Sequence, residues 1–259
     1  MKKLLSVLIC VILFSTQVCA QDLRFVQVTD VRYSKTSDNN VLAKLVNDIN
    51  KQKDINFVVF TGDNISHPSN DDLKAFMSEI KKLKIPYYLV IGDKDVNKRK
   101  DMSKKQYLQK AHKYGRKFKQ FSPNYVFEKS GVVFLVVDGS KDVIPSSIGY
   151  YKDNVLEWVD ANLDLYSDRN VIILQHFPII PPAEKESHYT YKADSYIDML
   201  QKHSNVKAVV SGHFGVNKEQ PVNGIMHIST APLPFYRVID ILDCDTKDPS
   251  IWAQVKEVK

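Results

Sequence analysis

Three observations predict an α/β fold whose sheet carries a functional edge. Five short apolar runs end in potential metal ligands, helical and strand-like segments alternate through the first half, and 44% of the 259 residues are hydrophobic, enough for one large core. The runs are Leu23 to Thr29 before Asp30, Phe57 to Thr61 before Gly62-Asp63, Tyr87 to Ile91 before Gly92-Asp93, Val171 to Leu174 before Gln175-His176, and Val206 to Val210 before Ser211-Gly212-His213. Each is rich in Val, Ile, Leu and aromatics without alternation, the pattern of a strand buried on both faces. One Asp at a strand end is ordinary turn chemistry. Five strands delivering three Asp and two His to one edge point to a shared metal site, because open α/β sheets place their ligands at the C-terminal edge.

Taken in order, Asp30 leads through a loop at Val31 to Ser34 into a helix marked by Val41, Leu42, Leu45, Val46 and Ile49. A strand over Asn56 to Thr61 follows, then a helix capped by Asn70-Asp71 with the stripe Leu73, Phe76, Met77, Ile80 and Leu83, then a strand opened by Pro86. Strand–helix–strand order implies right-handed crossovers and parallel neighbours, which brings Asp30, Asp63 and Asp93 together. Three carboxylates so placed repel one another unless a cation lies between them.

Lys94 to Lys119 carries eleven basic and two acidic residues, with Tyr107, Leu108, His112, Tyr114 and Phe118 interspersed. It reads either as a solvated helical face or as a positive rim that draws an anionic substrate to the carboxylate edge. Tyr125 to Lys129 and Val132 to Asp138 form a hairpin around Ser130-Gly131. A helix opens at Asp153-Asn154, and another surrounds Tyr196, Ile197 and Leu200. Ile225 to Thr230, Tyr236 to Leu242 and Ile251 to Glu257 are three strands that complete a second sheet packed on the first.

The first twenty residues read as a signal peptide: Lys2-Lys3, an apolar core from Leu4 to Phe14, and Val18-Cys19-Ala20 before cleavage. The apolar run is shorter than the roughly 20 residues of a membrane span, and neither Cys10 nor Cys19 follows the small residue a lipoprotein signal has. The expectation is a secreted or periplasmic mature domain over residues 21–259, with no membrane span. It keeps 34 basic against 30 acidic residues and one cysteine, Cys244, so no intramolecular disulfide is available. A pI near 9.0 raises nucleic-acid binding, but a mature charge of +4 with no recognisable module predicts no specific nucleic-acid partner.

The ordered set Asp30-Val31-Arg32, Gly62-Asp63, Gly92-Asp93-Lys94-Asp95, His176 and Gly212-His213-Phe214-Gly215 resembles the calcineurin-like metallophosphoesterases. Their pattern runs D-x-H, G-D, G-N-H-D/E, a lone H and G-H-x-H, on a four-layer αββα sandwich with a mostly parallel motif-bearing sheet packed on a second mixed sheet. In that family two ions share the Asp of G-D, which is Asp63 here. One ion also takes the positions of Asp93, His176 and His213, so the resemblance implies one divalent ion, Mn, Fe or Zn, at Asp63, Asp93, His176 and His213. The other ion takes the position of Asp30 and two histidines, which here are Arg32 and Gly215. Neither coordinates a metal, and the second site is expected to be empty.

The histidine that assists the transition state or leaving group in the family is Lys94. Arg32, Lys94 and Asp95 are therefore the candidate catalytic residues, and Asp30 joins the candidate ligands. Arg32 and Lys94 either neutralise carboxylates left without their metal or grip a phosphoryl group beside the remaining ion. The resemblance implies a phosphoester hydrolase acting on a phosphate-containing small molecule or polyanion, exported by its signal peptide; the departures at Arg32, Lys94 and Gly215 leave a catalytically inactive, anion- or protein-binding member of the fold as the alternative. Of the other histidines, His67 is weighed as a replacement ligand against a solvated loop residue, His227 is read as core, and His112, His188 and His203 carry no assignment.

Overall fold

The computed structural model describes residues 22–36, 40–115 and 117–258. The expected signal peptide lies outside the described residues, and none of the described helices is long and apolar enough to cross a membrane.

The first half alternates as expected: β1 (Leu23–Val28), α1 (Asn40–Lys51), β2 (Phe57–Thr61), α2 (Asn70–Ile80) and β3 (Tyr87–Val90). The cap of α2 sits one residue earlier than expected, on Ser69, whose hydroxyl accepts from the Asp72 amide. A hydroxyl in the extended residue before the helix satisfies a first-turn N–H that Asn70, already helical, does not reach.

The basic segment becomes a short 3₁₀ turn and α3 (Lys104–Tyr114), opened by a capping box between Ser103 and Gln106. Its Tyr107, Leu108 and Ala111 are buried in the core shared with α2; Lys105 and Lys113 are exposed on the other face, and Lys104 pairs with the buried Asp138. Next come β4 (Tyr125–Lys129) and β5 (Val132–Val137), the expected hairpin, with positive φ at both Ser130 and Gly131. β6 (Gly149–Tyr150), α4 (Asp153–Leu165), β7 (Val171–Gln175), β8 (Thr190–Tyr191), α5 (Ala193–Leu200), β9 (Val206–Ser211), β10 (Lys218–Val222), β11 (Ile225–Ser229), β12 (Phe235–Leu242) and β13 (Ser250–Glu257) complete the chain.

The strands form a five-stranded sheet in the order β13-β12-β1-β2-β3, a six-stranded sheet in the order β10-β11-β9-β7-β5-β4, and the small pair β6-β8. Two expectations change. The motif-bearing strands are divided between the sheets, β1, β2 and β3 in one and β7 and β9 in the other. The tail is divided too: β11 pairs parallel to β9, whereas β12 pairs antiparallel to β1 and carries β13 with it.

The residues facing each layer follow the period-two alternation of a strand. Val26, Val28, Val58, Phe60 and Leu89 face α1, α2 and α3. Leu23, Phe25, Phe57, Val59 and Val90 face Phe134, Val136, Ile172, Leu174, Ala208 and Val210 of the other sheet. Val133, Leu135, Val137, Ile173 and Val209 face α4 and α5. These are four layers, helices–sheet–sheet–helices. Phe57 lies at the centre, 4.8 Å from Phe25 and 5.1 Å from Phe134 between ring centroids, and full burial of each such ring contributes about 1.5–3 kcal/mol.

Candidate metal centre

Because the parallel strands of both sheets run the same way out of the core, their C-terminal ends meet. The loops there are tight: Asp30, Arg32, Asp63 and His213 all adopt left-handed backbone, with φ of 48°, 47°, 51° and 71°. Such conformations cost a non-glycine residue about 1–2 kcal/mol each and persist because neighbours hold them. Asp30 N donates to Gly62 O at 2.9 Å, Arg32 N to Asp63 O at 2.8 Å, and His213 N to the Asp30 carboxylate at 2.9 Å. Gly62 must be glycine, since a Cβ there would lie 2.5 Å from His176 Nδ1.

Two clusters of buried groups can each hold an ion: Asp93, His176 and His213, and Asp30, Asp63 and His176. In the first, Asp93 Oδ1 is buried without a hydrogen-bond partner, with His176 Nε2 at 3.4 Å and His213 Nδ1 at 3.3 Å. Each imidazole uses its other nitrogen on a backbone carbonyl, His176 Nδ1 on Thr61 O at 2.8 Å and His213 Nε2 on Ser147 O at 2.7 Å. In the neutral imidazoles, donation to those carbonyls leaves lone pairs on the two nitrogens that face Asp93 and each other, 3.2 Å apart. Two lone pairs and an orphan carboxylate oxygen converging on one point demand a positive charge, so the residues fit a divalent ion.

Without an ion the same carboxylates draw a proton to this point: burial alone would lower the His176 pKa, but Asp63, Asp93 and Asp30 outweigh it and push it up to about 10, so an ion binding here displaces that proton. Burial opposes ionisation of Asp93, yet His176, His213 and Lys94 hold its carboxyl well below the usual range.

The second cluster is already met by side-chain cations. Arg32 Nη2 lies 3.1 Å from Asp30 Oδ1 and its Nε 3.6 Å from Asp63 Oδ2. Lys94 Nζ lies 3.0 Å from Asp63 Oδ2 and 3.1 Å from Asp93 Oδ2. Burial alone would lower the Lys94 pKa, but Asp63 and Asp93 outweigh it and raise it above its ordinary value, so the ammonium keeps its charge. The Arg32 and Lys94 side chains are 43% and 36% exposed above carboxylates that are 0% exposed at Asp30 and Asp63, which makes the two cations the outer face of the site.

Residues 23–217 match the family model described as calcineurin-like phosphoesterase. The chain belongs to the calcineurin-like phosphoesterase family. It is 23% identical over 227 residues to a protein of Arcobacter nitrofigilis described as "Probable glycerophosphodiester phosphodiesterase GpdQ", covering 83% of this chain and 77% of that one. A dimetal phosphatase from Danio rerio superposes with a TM-score of 0.68 at 16% identity, covering 92% of this chain and 99% of that one. GAP50 of Plasmodium, described as the anchor in the inner membrane complex, superposes at 0.59 and 16%, covering 92% and 90%. Both superpositions speak for the fold alone.

Within this calcineurin-like site, Asp30, Asp63, Asp93, His176, His213, Arg32 and Lys94 come together as their motifs imply. Asp95 lies underneath. Its carboxylate accepts from the amides of Asn64, Ile65 and Gly92 at 2.8, 3.1 and 2.8 Å and from Asn64 Nδ2 at 3.1 Å. Burial, then the Asp63 charge, pushes its pKa up to about 7. It ties the loops after β2 and β3 together and does not face the outer rim.

His67 is not drawn in: it faces Asp72 at 3.6 Å in an exposed position. His188, given no assignment from sequence, packs against His213 with ring centroids 4.6 Å apart and the planes tilted by 35°. Burial and the neighbouring His213 lower its pKa to about 4. Ser147, whose carbonyl orients His213, was equally silent because a backbone acceptor leaves no side-chain signature. The pairing of β6 with β8 is the signal's structural origin, since it docks the loop of Ser147 against the loop of His188. A cavity of ≈ 530 Å³ among Ser167, Asn170, Asn205, Lys207 and Cys244 lies at the opposite ends of the strands and takes no part in this site.

Proposed function

We propose that the chain is an exported phosphoesterase with one resident divalent ion, held by Asp63, Asp93, His176 and His213, and with Arg32 and Lys94 in place of a second ion. The observation that carries this reading is the convergence of His176 Nε2, His213 Nδ1 and the unpartnered Asp93 Oδ1. A divalent ion there supplies Lewis-acid polarisation of a phosphoryl oxygen and lowers the pKa of water.

The protein's own contribution is charge and orientation. Arg32 presents a planar fork suited to two phosphoryl oxygens, and Lys94 adds a point charge. Asp63 and Asp93 favour the charged form of Lys94, so it offers the leaving oxygen a positive charge. Thr61 O and Ser147 O favour the Nδ1–H form of His176 and the Nε2–H form of His213. The name of the Arcobacter relative puts phosphodiesters first among substrates.

The test uses residues 21–259 purified without chelator. One ion per chain, with metal-dependent turnover of a phosphodiester that Asp63→Asn abolishes, is expected. A second reading, a catalytically inactive member binding an anion or a protein, is favoured by the ion pairs that Arg32 and Lys94 make with Asp30, Asp63 and Asp93. No ion and no turnover of mono- or diesters in the parent would select it.

A further inference from the structure

Beneath the ligands, the apolar filling between the two sheets gives way to a polar layer of Gln27, Thr61, Ser211, Thr230 and Arg237, all buried. Gln27 and Arg237 stand opposite each other on β1 and β12. A guanidinium has only donors to offer. Arg237 gives Nε to Thr230 Oγ1 at 3.1 Å, Nη1 to Glu219 Oε1 at 2.5 Å and Ala253 O at 2.9 Å, and Nη2 to Ser229 O at 3.3 Å. With its oxygen already accepting, Thr230 turns its hydroxyl proton to Gln27 Oε1 at 2.6 Å. That fixes which way the amide points. Gln27 Nε2 then donates to Thr61 Oγ1 at 2.9 Å and to Ser211 O at 2.8 Å.

Thr61 and Ser211 are the last residues of β2 and β9, directly before Gly62-Asp63 and Gly212-His213. They belong to different sheets. The Thr61 carbonyl also receives His176 Nδ1. One side-chain amide therefore ties the strand end that carries Asp63 and orients His176 to the strand end that carries His213. Reversing that amide would set its oxygen against the Ser211 carbonyl, two acceptors with no proton between them.

We propose that Gln27 is a positioning residue for the metal centre, its amide direction set by Thr230 and Arg237, so that this polar layer fixes the spacing between ligands brought by the two sheets. The inference rests on the single-ion reading. Thr230→Val removes the hydroxyl at nearly constant shape, Thr230→Ser keeps it, and Gln27→Glu puts a second acceptor where the amide nitrogen was. Asn205→Ala is the control: Asn205 is buried and polar as well, but it holds Leu163 O and Tyr166 O at the far end of the sheets.

The experiment measures Mn²⁺ affinity of the metal-free protein by calorimetry beside its melting midpoint. Thr230→Val and Gln27→Glu are expected to lose affinity by about tenfold, the low end of what a direct outer-sphere partner costs, because Gln27 acts on the ligands through Thr61 and Ser211. Thr230→Ser keeps the parent affinity, and Asn205→Ala melts lower with affinity unchanged. Should Thr230→Val not fold, Thr61→Val carries the same expectation, since it deletes the hydroxyl gripped by Gln27 and keeps the carbonyl that orients His176. If the parent binds Mn²⁺ and the variants bind it equally tightly while merely melting lower, the positioning role is overturned and the single-ion reading stands. If the parent binds no Mn²⁺, both fall.

Discussion

Replacing Arg32 and Gly215 together by histidine returns the two side chains that a second ion takes in this family, and its cost can be worked from the structure. Residue 32 already sits at φ 47°, so histidine there meets the same backbone strain as arginine. At residue 215 a Cβ would touch only Pro232 Cδ at 4.0 Å, but φ is +76°, which costs a histidine about 1–2 kcal/mol. Losing the Arg32 guanidinium removes ion pairs to Asp30 and Asp63 from a side chain that is 43% exposed, so solvent screening limits that loss to about 1 kcal/mol. The metal-free double variant is therefore about 2–3 kcal/mol less stable and, at about 2–4 °C per kcal/mol for a chain of this size, melts about 4–12 °C lower. An ion at a hundred times its dissociation constant returns about 2.7 kcal/mol, nearly the whole deficit. Scanning calorimetry with and without Mn²⁺, beside metal content per chain, reads both quantities. Two ions in the parent, or one ion in the double variant with no added protection by Mn²⁺, would refute the assignment of Arg32 as a substitute for metal.

Three further outcomes follow from the same geometry. His213→Ala should weaken Mn²⁺ binding by more than the roughly 10–100-fold that an outer-sphere loss costs, because it deletes one of three converging donors; equilibrium dialysis measures it. Lys94→Met removes an ammonium 3.0 Å from Asp63 and 3.1 Å from Asp93, so calorimetry should show tighter Mn²⁺ binding while steady-state turnover of a phosphodiester falls. Tenfold in affinity corresponds to about 1.4 kcal/mol of cation–cation repulsion relieved. His227 is buried on β11, and burial lowers its pKa to about 4. As pH falls below 6.5 the unfolded chain takes up this proton and the folded one does not, so the stability is complete above pH 6.5 and is lost towards pH 4. The gap corresponds to about 3 kcal/mol, and urea unfolding of His227→Gln at pH 7 and pH 4.5 should show a much smaller decline than the parent.

What the sequence discloses and what it withholds divide along the range of the interactions. That Asp30, Asp63, Asp93, His176 and His213 come together was legible because each sits at the boundary of an apolar run, a local signal, and because the order of the motifs carries the resemblance. The layer each strand belongs to was not. Val58 and Phe60 face helices while Phe57 and Val59 face the other sheet, and a strand apolar on both faces has no alternation to say which side is which. Nor does a strand's own composition choose its partner: β12 joins β1 across more than two hundred residues, and its inward Arg237 reads as an exposed residue until Glu219, Thr230 and Ser229 surround it. His188 escaped for a related reason. It lies among polar neighbours in sequence, and only the β6–β8 pairing sets its ring on His213. The residues that cluster at this centre are thus written locally, one strand end at a time. Their spacing depends on how two sheets pack, through Phe25 and Phe57 on Phe134 and through hydrogen bonds such as Gln27 to Ser211 and His176 to Thr61, contacts between strands that no single motif contains.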